Sequence, residues 1–503
     1  MLLQQRFIRS AKQQGSRLLF NDRATGRKLT YSRALIAAII LARKIEKYSD
    51  GYLGILLPTS AGCGLSVFAA LMAGKVPVMI NYSTGAEANT RYAQDHCGFT
   101  PVMTSRALLE KTGCKEVEGM IFIEDVLVGI SGLERLQAAL TALLPMTALC
   151  KMFGKQDEND TATILFTSGS EKAPKAVELT HRNIGSNVDA ALQVFDFNPE
   201  DRFLSILPLF HILGNMTNLW LPVSCGATII TYANPLEFKT VAGIIREEEP
   251  TIIIGTPYFL AGYIRQATAD DYEAMRIAIA GADKVPEWMH EAFAERGVEL
   301  VEGYGATETS PVIAVNLPGA NRPGSVGRAL PGVEIKIVDI VTGEPLPVGM
   351  EGKILVKGDL VMKGYLNDLE ETILHIENGW YETGDMGVLD EDGYLWHRGR
   401  LKRFVKIGGE MVSLVRIESV LEKLLPEEIE CCAVELPDSK KGAVIAVAVS
   451  AEIDQKEIMN RLAERLPAIS LPRRFVVLEE MPKMGSGKVD FREATQRVRH
   501  LMS

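Results

Sequence analysis

The chain has 503 residues, 47% hydrophobic and 23% charged, with a formal net charge of −10. That length supports more than one hydrophobic core, and the composition excludes disorder and collagen-like structure. The acidic balance argues against nucleic acid as the main partner, because counterion release needs a clustered basic face. Charge is unevenly placed: from residue 401 onward 17 Lys and Arg stand against 16 Asp and Glu, so the near-neutral tail is the better face for an acidic partner. The seven cysteines are odd in number, scattered and never spaced as paired metal ligands, which predicts a reduced, cytoplasmic protein. Cys431 and Cys432, adjacent in CCAVEL, read as small apolar residues on a buried strand rather than as a redox pair.

In chain order, the opening MLLQQRFIRSAKQQ has too short an apolar run for a signal peptide. The most apolar later stretch, 65–80, is interrupted by Gly74, Lys75 and Pro77, which predicts a helix, a turn and a strand in a core. No transmembrane segment is expected, and peripheral membrane contact stays open. Strand-like runs GILLP (54–58), VPVMI (76–80), ATILF (162–166), FLSILPL (203–209), ATIIT (227–231) and TIIIGTP (251–257) alternate with helical segments. That order predicts an α/β fold with helix-covered parallel sheets. Between about 311 and 396, short strands separated by Gly and Pro turns predict a small antiparallel or barrel-like unit. A charged GRLKRFVKIGGE follows Gly399, and then a compact α+β segment runs to the end. The expected division is a large domain over 1–399 and a mobile small domain over 400–503, with a hinge at about 400–403.

Four motifs carry chemistry. TSGSEKAPKAV at 167–177 follows an apolar strand, and Gly169 lets the backbone bend so that N–H groups face an anion. Hydroxyls of Thr167, Ser168 and Ser170 add donors, and Lys172 and Lys175 add charge, a composition suited to polyphosphate; alone, the stretch reads equally as a Ser-rich turn. In EGYGATETS, Tyr304 stands between Gly303 and Gly305, which let a planar ligand approach the backbone, while Glu308, beside Thr307, is a hard oxygen ligand suited to Mg²⁺. WYETGDMG sets Asp385 after Gly384 in an expected tight turn, where a carboxylate can accept from a ribose diol. In PKMGSGKVD, Lys488 follows a glycine-rich turn that can present a point charge to a reacting phosphorus centre. A Walker loop is excluded there, because Pro482 replaces the required glycine and Val489 the required hydroxyl. Each motif alone reads also as a turn with a solvated side chain.

TSGSEKAPKAV, LPLFH, GYGATETS, YETGD, GRLKRF and GSGK, in this order, resemble the adenylate-forming superfamily of acyl-CoA synthetases, acyl carrier protein synthetases, luciferases and peptide-synthetase adenylation domains. More narrowly, TSGSEKAPKAV and KRFVKIGGEMVSL are similar to the synthetase part of the bifunctional acyl-[acyl carrier protein] synthetase/2-acylglycerophosphoethanolamine acyltransferase, whose acyltransferase part is expected to be missing here. The resemblance implies ATP and Mg²⁺ as cofactors, with 167–175 on the phosphates, Glu302 to Gly305 beside the nucleotide, Tyr304 on adenine and Glu308 on the metal. It implies that Asp385 and Arg400 grip ribose, Lys402 is the hinge, and Lys488 bridges carboxylate and phosphate oxygens. Gly408 and Gly409 would line the thiol's approach, and His211 would border the acyl pocket, unless it is a satisfied core histidine. Two departures stand out: Glu171 and Lys172 replace the usual Thr-Gly, and Arg403 stands where Asp is frequent. Arg403 extends a cationic run with Arg400, Lys402 and Lys406 that either meets an acidic carrier protein or is a solvated hinge.

A carboxylate is a poor acyl donor until attack on the α-phosphorus of ATP gives it AMP as a leaving group; a thiol then accepts the acyl chain. Small-acid members place a bulky aromatic where Gly305 stands, and with the apolar FHILGNMTNLWLPV at 210–223 this favours a long or medium alkyl chain, unless that segment is core. Three readings follow. A fatty acid ligase loading acyl carrier protein leads, the same chemistry with coenzyme A is the alternative, and a non-catalytic adenylate-binding protein comes third.

Overall fold

The computed structural model of the chain describes residues 1–48, 51–167, 174–407, 410–426, 428–438, 442–483 and 489–502. Two compact units divide it: Met1–Ser168, Pro174–Glu334 and Val356–Tyr381 form the larger, and Ile335–Leu355 with Glu382–Ser503 the smaller.

The larger unit is built on two sheets, as the alternation of apolar runs and helices predicts. A seven-stranded sheet has a parallel centre of Thr161–Phe166, Val76–Met79, Tyr52–Ile55, Val102–Thr104 and Met120–Phe122. Ala176–Thr180 joins it antiparallel beside Thr161–Phe166, and Gly364–Tyr365 adds the edge. A nine-stranded sheet holds Arg202–Ser205, Thr228–Thr231, Ile252–Gly255, Ile277–Ala280 and Glu299–Gly305 in parallel, with Val312–Val315 antiparallel at one side. Central strands such as Ile252–Gly255 and Ile277–Ala280 are continuously apolar and buried along their length, as parallel strands covered on both faces are. All six strands read from the sequence are present.

The N-terminal helix Leu3–Gln14 buries Leu3, Phe7, Ile8 and Ala11, one helical stripe, with Phe7 stacked on Phe68 at 4.1 Å between ring centroids. Arg6 fixes it with two hydrogen bonds of 2.6 Å to Asp189. The backbone N–H of Leu3 donates to Nδ1 of His181 over 3.2 Å, and burial lowers the His181 pKa to about 4. The stretch 65–80 is a helix, Ala61–Met72, then a turn and strand Val76–Met79. Among the described residues no single helix is long and apolar enough to cross a membrane; Gly132–Ala142 and Met146–Phe153 reach that length only together and are bent by 117°.

Residues 311–396 are distributed more widely than a single small unit. Val312–Val315 and Arg328–Ala329 extend the nine-stranded sheet, and Gly364–Tyr365 extends the seven-stranded one. Glu334–Val338, Gly352–Lys357, Ile376–Glu377, Trp380–Leu389 and Leu395–Arg400 make a five-stranded sheet of their own. Short strands with turn residues look alike in sequence whether they form a separate sheet or edge an existing one.

In the smaller unit, Cys431–Asp438, Gly442–Val449 and Arg474–Val477 form a three-stranded sheet. Its residues alternate: Ala433, Ile445 and Val447 join the apolar cluster of Ile417, Leu421 and Leu462, while Cys432, Ala446 and Ala448 join that of Ala494 and Val498. Burial raises both adjacent thiols, Cys432 to about 12, so they are packed as small apolar groups.

Candidate active site

Thr167 and Lys175 close the hairpin between Thr161–Phe166 and Ala176–Thr180. The Thr167 N–H donates to the Lys175 carbonyl over 3.0 Å, and the Lys175 N–H to Oγ1 of Thr167 over 3.3 Å. Between them Ser168, Gly169, Ser170 and Lys172 lie outside the described residues, as do Gly408, Gly409 and Lys488.

Lys175 and Glu308 are 133 positions apart in sequence yet belong to one cluster in the larger unit. The Tyr365 hydroxyl donates to Oε1 of Glu308 over 2.9 Å, and Nζ of Lys175 sits 4.6 Å from the centroid of the Tyr365 ring. Lys175 also pairs with Glu371, which accepts from Nε2 of His375 over 3.2 Å. Burial raises the pKa of both the Tyr365 and the Tyr381 phenol well above the ordinary value, with Glu308 adding to the effect. Both phenols therefore remain neutral, and Tyr365 is a fixed donor to the Glu308 carboxylate. The Met362 N–H fixes the Glu308 backbone by donating to its carbonyl over 2.8 Å.

Tyr365 is the member of this cluster that no motif in the sequence marks. Edge pairing places it, through Tyr365↔Val177 and Gly364↔Glu178, and Thr372 accepts from its N–H over 2.9 Å. Its sequence signal was weak: a Gly-Tyr pair before a helix N-cap at Asp368.

Glu302 to Gly305 lie on strand Glu299–Gly305. Glu302 is buried, and its carboxylate accepts from the Gly324 N–H over 2.7 Å and lies 3.2 Å from Nε2 of His290, so it organises the strand. Tyr304 is half-buried, and Thr307 starts the turn Thr307–Thr309. A Cβ on Gly303 would meet Val315 at an ordinary 3.4 Å, which leaves that glycine consistent with close approach of a planar group. Gly305 differs: a Cβ there would lie 1.8 Å from the Pro311 carbonyl oxygen. The local backbone demands this glycine, which removes its value as a mark of an open acyl wall.

His211 caps the helix Ile212–Asn215, with its ring 4.5 Å from that of Phe210. The apolar segment after it runs through a π-turn, Met216–Trp220, and Met216, Leu219, Trp220, Leu221 and Val223 all sit in the main core, Trp220 at 5.4 Å from Phe68. Of the two readings open for 210–223, core packing is the one observed.

In the smaller unit Asp385 lies within strand Trp380–Leu389, with Gly384 at φ 74° kinking the strand, where the sequence suggested a tight turn. Asp385 is buried; Nε of Arg400 lies 3.6 Å from it and Nε2 of His397 3.7 Å. Arg400 pairs opposite Asp385 in the ladder, and its side chain is exposed, as is Lys402 in the turn Leu401–Arg403. Arg403 is neither a carrier-protein contact nor a solvated hinge. It pairs with Glu418, donates to the Ala433 carbonyl over 3.0 Å and lies 4.0 Å from the Phe491 ring centroid. Burial raises the Glu418 carboxyl above its ordinary value, opposed by Arg403.

Among the described residues no group of three or more His, Cys, Asp or Glu could hold a metal by itself. Mg²⁺ is commonly bound through one or two carboxylates and the phosphates of its nucleotide. One carboxylate held by a neutral phenol, as at Glu308, fits that use.

The AMP-binding enzyme family model matches residues 7–366, and the model of the AMP-binding enzyme C-terminal domain matches 416–488. The indoleacetate–CoA ligase of Aromatoleum aromaticum is 33% identical over 335 residues, 65% of each chain. The long-chain-fatty-acid–CoA ligase of Bacillus subtilis is 28% identical over 507 residues, covering 92% of this chain and 89% of its own. The crystal structure of ATP-bound MatB from Rhodopseudomonas palustris matches over 100% of both chains with a TM-score of 0.86 at 24% identity, and so shares the fold.

Proposed function

The chain belongs to the AMP-binding enzymes, and on that premise we propose that it activates a carboxylic acid with ATP to an acyl-adenylate and transfers the acyl group to coenzyme A. A fatty acid is the first substrate to test. The observation that carries the reading is the single cluster formed by Lys175, Tyr365 and Glu308, which sets a cation at the end of the phosphate motif and a carboxylate on one hydrogen-bonded framework.

In this reading 167–175 receives the ATP phosphates and Tyr304 the adenine face, while Asp385 and Arg400 receive the ribose. Lys175 must exchange Glu371 for phosphate, an exchange of one anion for another that keeps the ammonium paired. Tyr365 holds the Glu308 carboxylate in place for Mg²⁺, which when bound disperses charge on the phosphates. Lys488 supplies positive charge where the carboxylate attacks the α-phosphorus and pyrophosphate leaves. Lys402 is the proposed hinge between the domains 1–399 and 400–503, and Gly408 and Gly409 the path of the thiol.

The relatives reverse the order of the two acceptors. Those above are CoA ligases, which favours coenzyme A over acyl carrier protein, and the burial of Arg403 takes one cation from the run that supported a carrier. With Gly305 and 210–223 explained by packing, support for an alkyl chain comes from the fatty-acid ligase relative, while the indoleacetate relative supports an aryl acid. The test supplies ATP, Mg²⁺ and labelled palmitate or indoleacetate, with coenzyme A or holo acyl carrier protein in parallel. Palmitoyl-CoA is the expected product. Label on the carrier alone restores the carrier-protein reading, indoleacetyl-CoA alone replaces the fatty acid, and no acyl-AMP from either acid favours a non-catalytic nucleotide-binding protein.

A further inference from the structure

The helices Gly132–Ala142 and Met146–Phe153 present an apolar surface that the chemistry leaves unused. Leu133, Leu136 and Leu140 follow at i, i+3 and i+7 on the first helix, and Leu143 continues their face at its C-cap. These four side chains are 64%, 57%, 57% and 75% exposed, and Val128, just before the helix, is 88% exposed. The opposite face holds Ala138, fully buried, where the helix packs on Tyr31–Ile45. A surface helix ordinarily turns its bulky apolar residues to the core. Here the bulky residues face water and the small one faces protein, and a contiguous apolar surface of that kind marks an interaction site.

Cations outnumber acids around it. Glu134 is the only acidic residue between Val126 and Gln156, and Lys44 pairs with it. Lys12 donates to the Ala142 carbonyl over 3.0 Å, beside Leu143; Arg43 donates to Thr141 over 2.8 Å, and Lys44 to the Gly129 carbonyl over 3.1 Å. Arg135 and Lys151 are exposed on the two helices themselves. In a chain of net charge −10 this is a local excess of cations fixed beside leucines.

We propose that this face docks the protein on an anionic lipid surface, with the leucines entering the interfacial layer and the cations meeting lipid phosphates. The 117° bend makes the pair unable to span a bilayer as one rod but suits it to lie in the interface. A second copy of the chain is a poorer occupant, because a two-fold contact would oppose the two sets of cations. The proposal does not depend on the acyl acceptor or the acid.

The full chain is sedimented with vesicles of phosphatidylcholine alone and of phosphatidylcholine with phosphatidylglycerol. Binding is expected with the anionic vesicles and is expected to weaken with salt. The double variant L136D/L140D, with an unchanged far-ultraviolet circular dichroism spectrum, is expected to lower the partition coefficient at least about tenfold. Leu140→Trp gives an independent reading, since brominated lipid quenches the indole if it enters the interface. Wild-type protein that stays in the supernatant with both vesicles, an unquenched Trp, or a double variant that sediments like wild type overturns the proposal. So does a wild-type dimer, seen by light scattering, that L136D/L140D converts to monomer, which would put a second copy on this face.

Discussion

The carboxylates Glu308 and Asp385 are held in opposite ways. Glu308 depends on side chains from four separate segments: Tyr365 at a sheet edge, Tyr381, Lys175 at a hairpin end, and Glu371, which holds Lys175 from a helix. Asp385 depends on one hairpin, whose second strand supplies both Arg400 and His397. The first arrangement is built by the tertiary fold and is rigid only when distant elements dock. The second is local and ends in an exposed arginine, so it can change partners without repacking a core.

The largest expected effect tests a residue outside both groups. Lys488→Ala is expected to lower adenylation by about 10²–10³-fold while ATP binding, followed by titration calorimetry, persists. An unchanged rate would remove Lys488 from the adenylation step. Next, Arg403→Ala strands the buried Glu418 and is expected to destabilise the smaller unit by about 3–5 kcal/mol in urea unfolding, whereas the pair of changes Arg403→Met and Glu418→Leu recovers most of it. That outcome makes Arg403 part of the packing that supports the Asp385 unit; a near-neutral Arg403→Ala would return it to the hinge surface.

His181 shows the same long-range dependence as Glu308, since it receives the N-terminal helix. Its folded pKa of about 4 lies below the ordinary 6.5, so the unfolded chain binds the extra proton between those values. Stability is complete above pH 6.5 and falls as pH drops towards 4, by up to roughly 3 kcal/mol. His181→Gln is expected to remove that part of the pH slope, and an unchanged slope would assign it to other groups. The smallest effect belongs to Tyr365→Phe, which removes one hydrogen bond to Glu308 and is expected to slow adenylation about tenfold, or about 1.4 kcal/mol. A parallel rightward shift of the Mg²⁺ titration would place that loss at the carboxylate.

This contrast also explains what could be read from the sequence. Strands such as Ile252–Gly255 and Thr161–Phe166 announce themselves as short apolar runs, and Asp385 and Arg400 lie 15 positions apart on adjacent strands in motifs that carry their own glycines. Tyr365 and Glu371 are silent, because their partners are 57 and 196 positions away and neither stands in a motif that suggests a phosphate or a metal. Gly305 is ambiguous for the opposite reason: a missing side chain serves either ligand space or backbone contact, and here a Cβ would meet the Pro311 carbonyl. Residues 210–223 stayed open between two readings in the sequence because a buried core helix and a tunnel wall share one apolar composition. Arg403 reads as surface in a charged run, and Glu418, its buried partner, is the part that local sequence cannot show.

The most direct measurement of the central claim is acid-dependent exchange of labelled pyrophosphate into ATP, with Mg²⁺ present and no thiol acceptor. Exchange is expected to start on adding the acid, to be lost in Lys488→Ala and to be weakened in Tyr365→Phe. Acid-dependent release of ADP and phosphate, or no exchange with any acid from acetate through palmitate to indoleacetate, would contradict it.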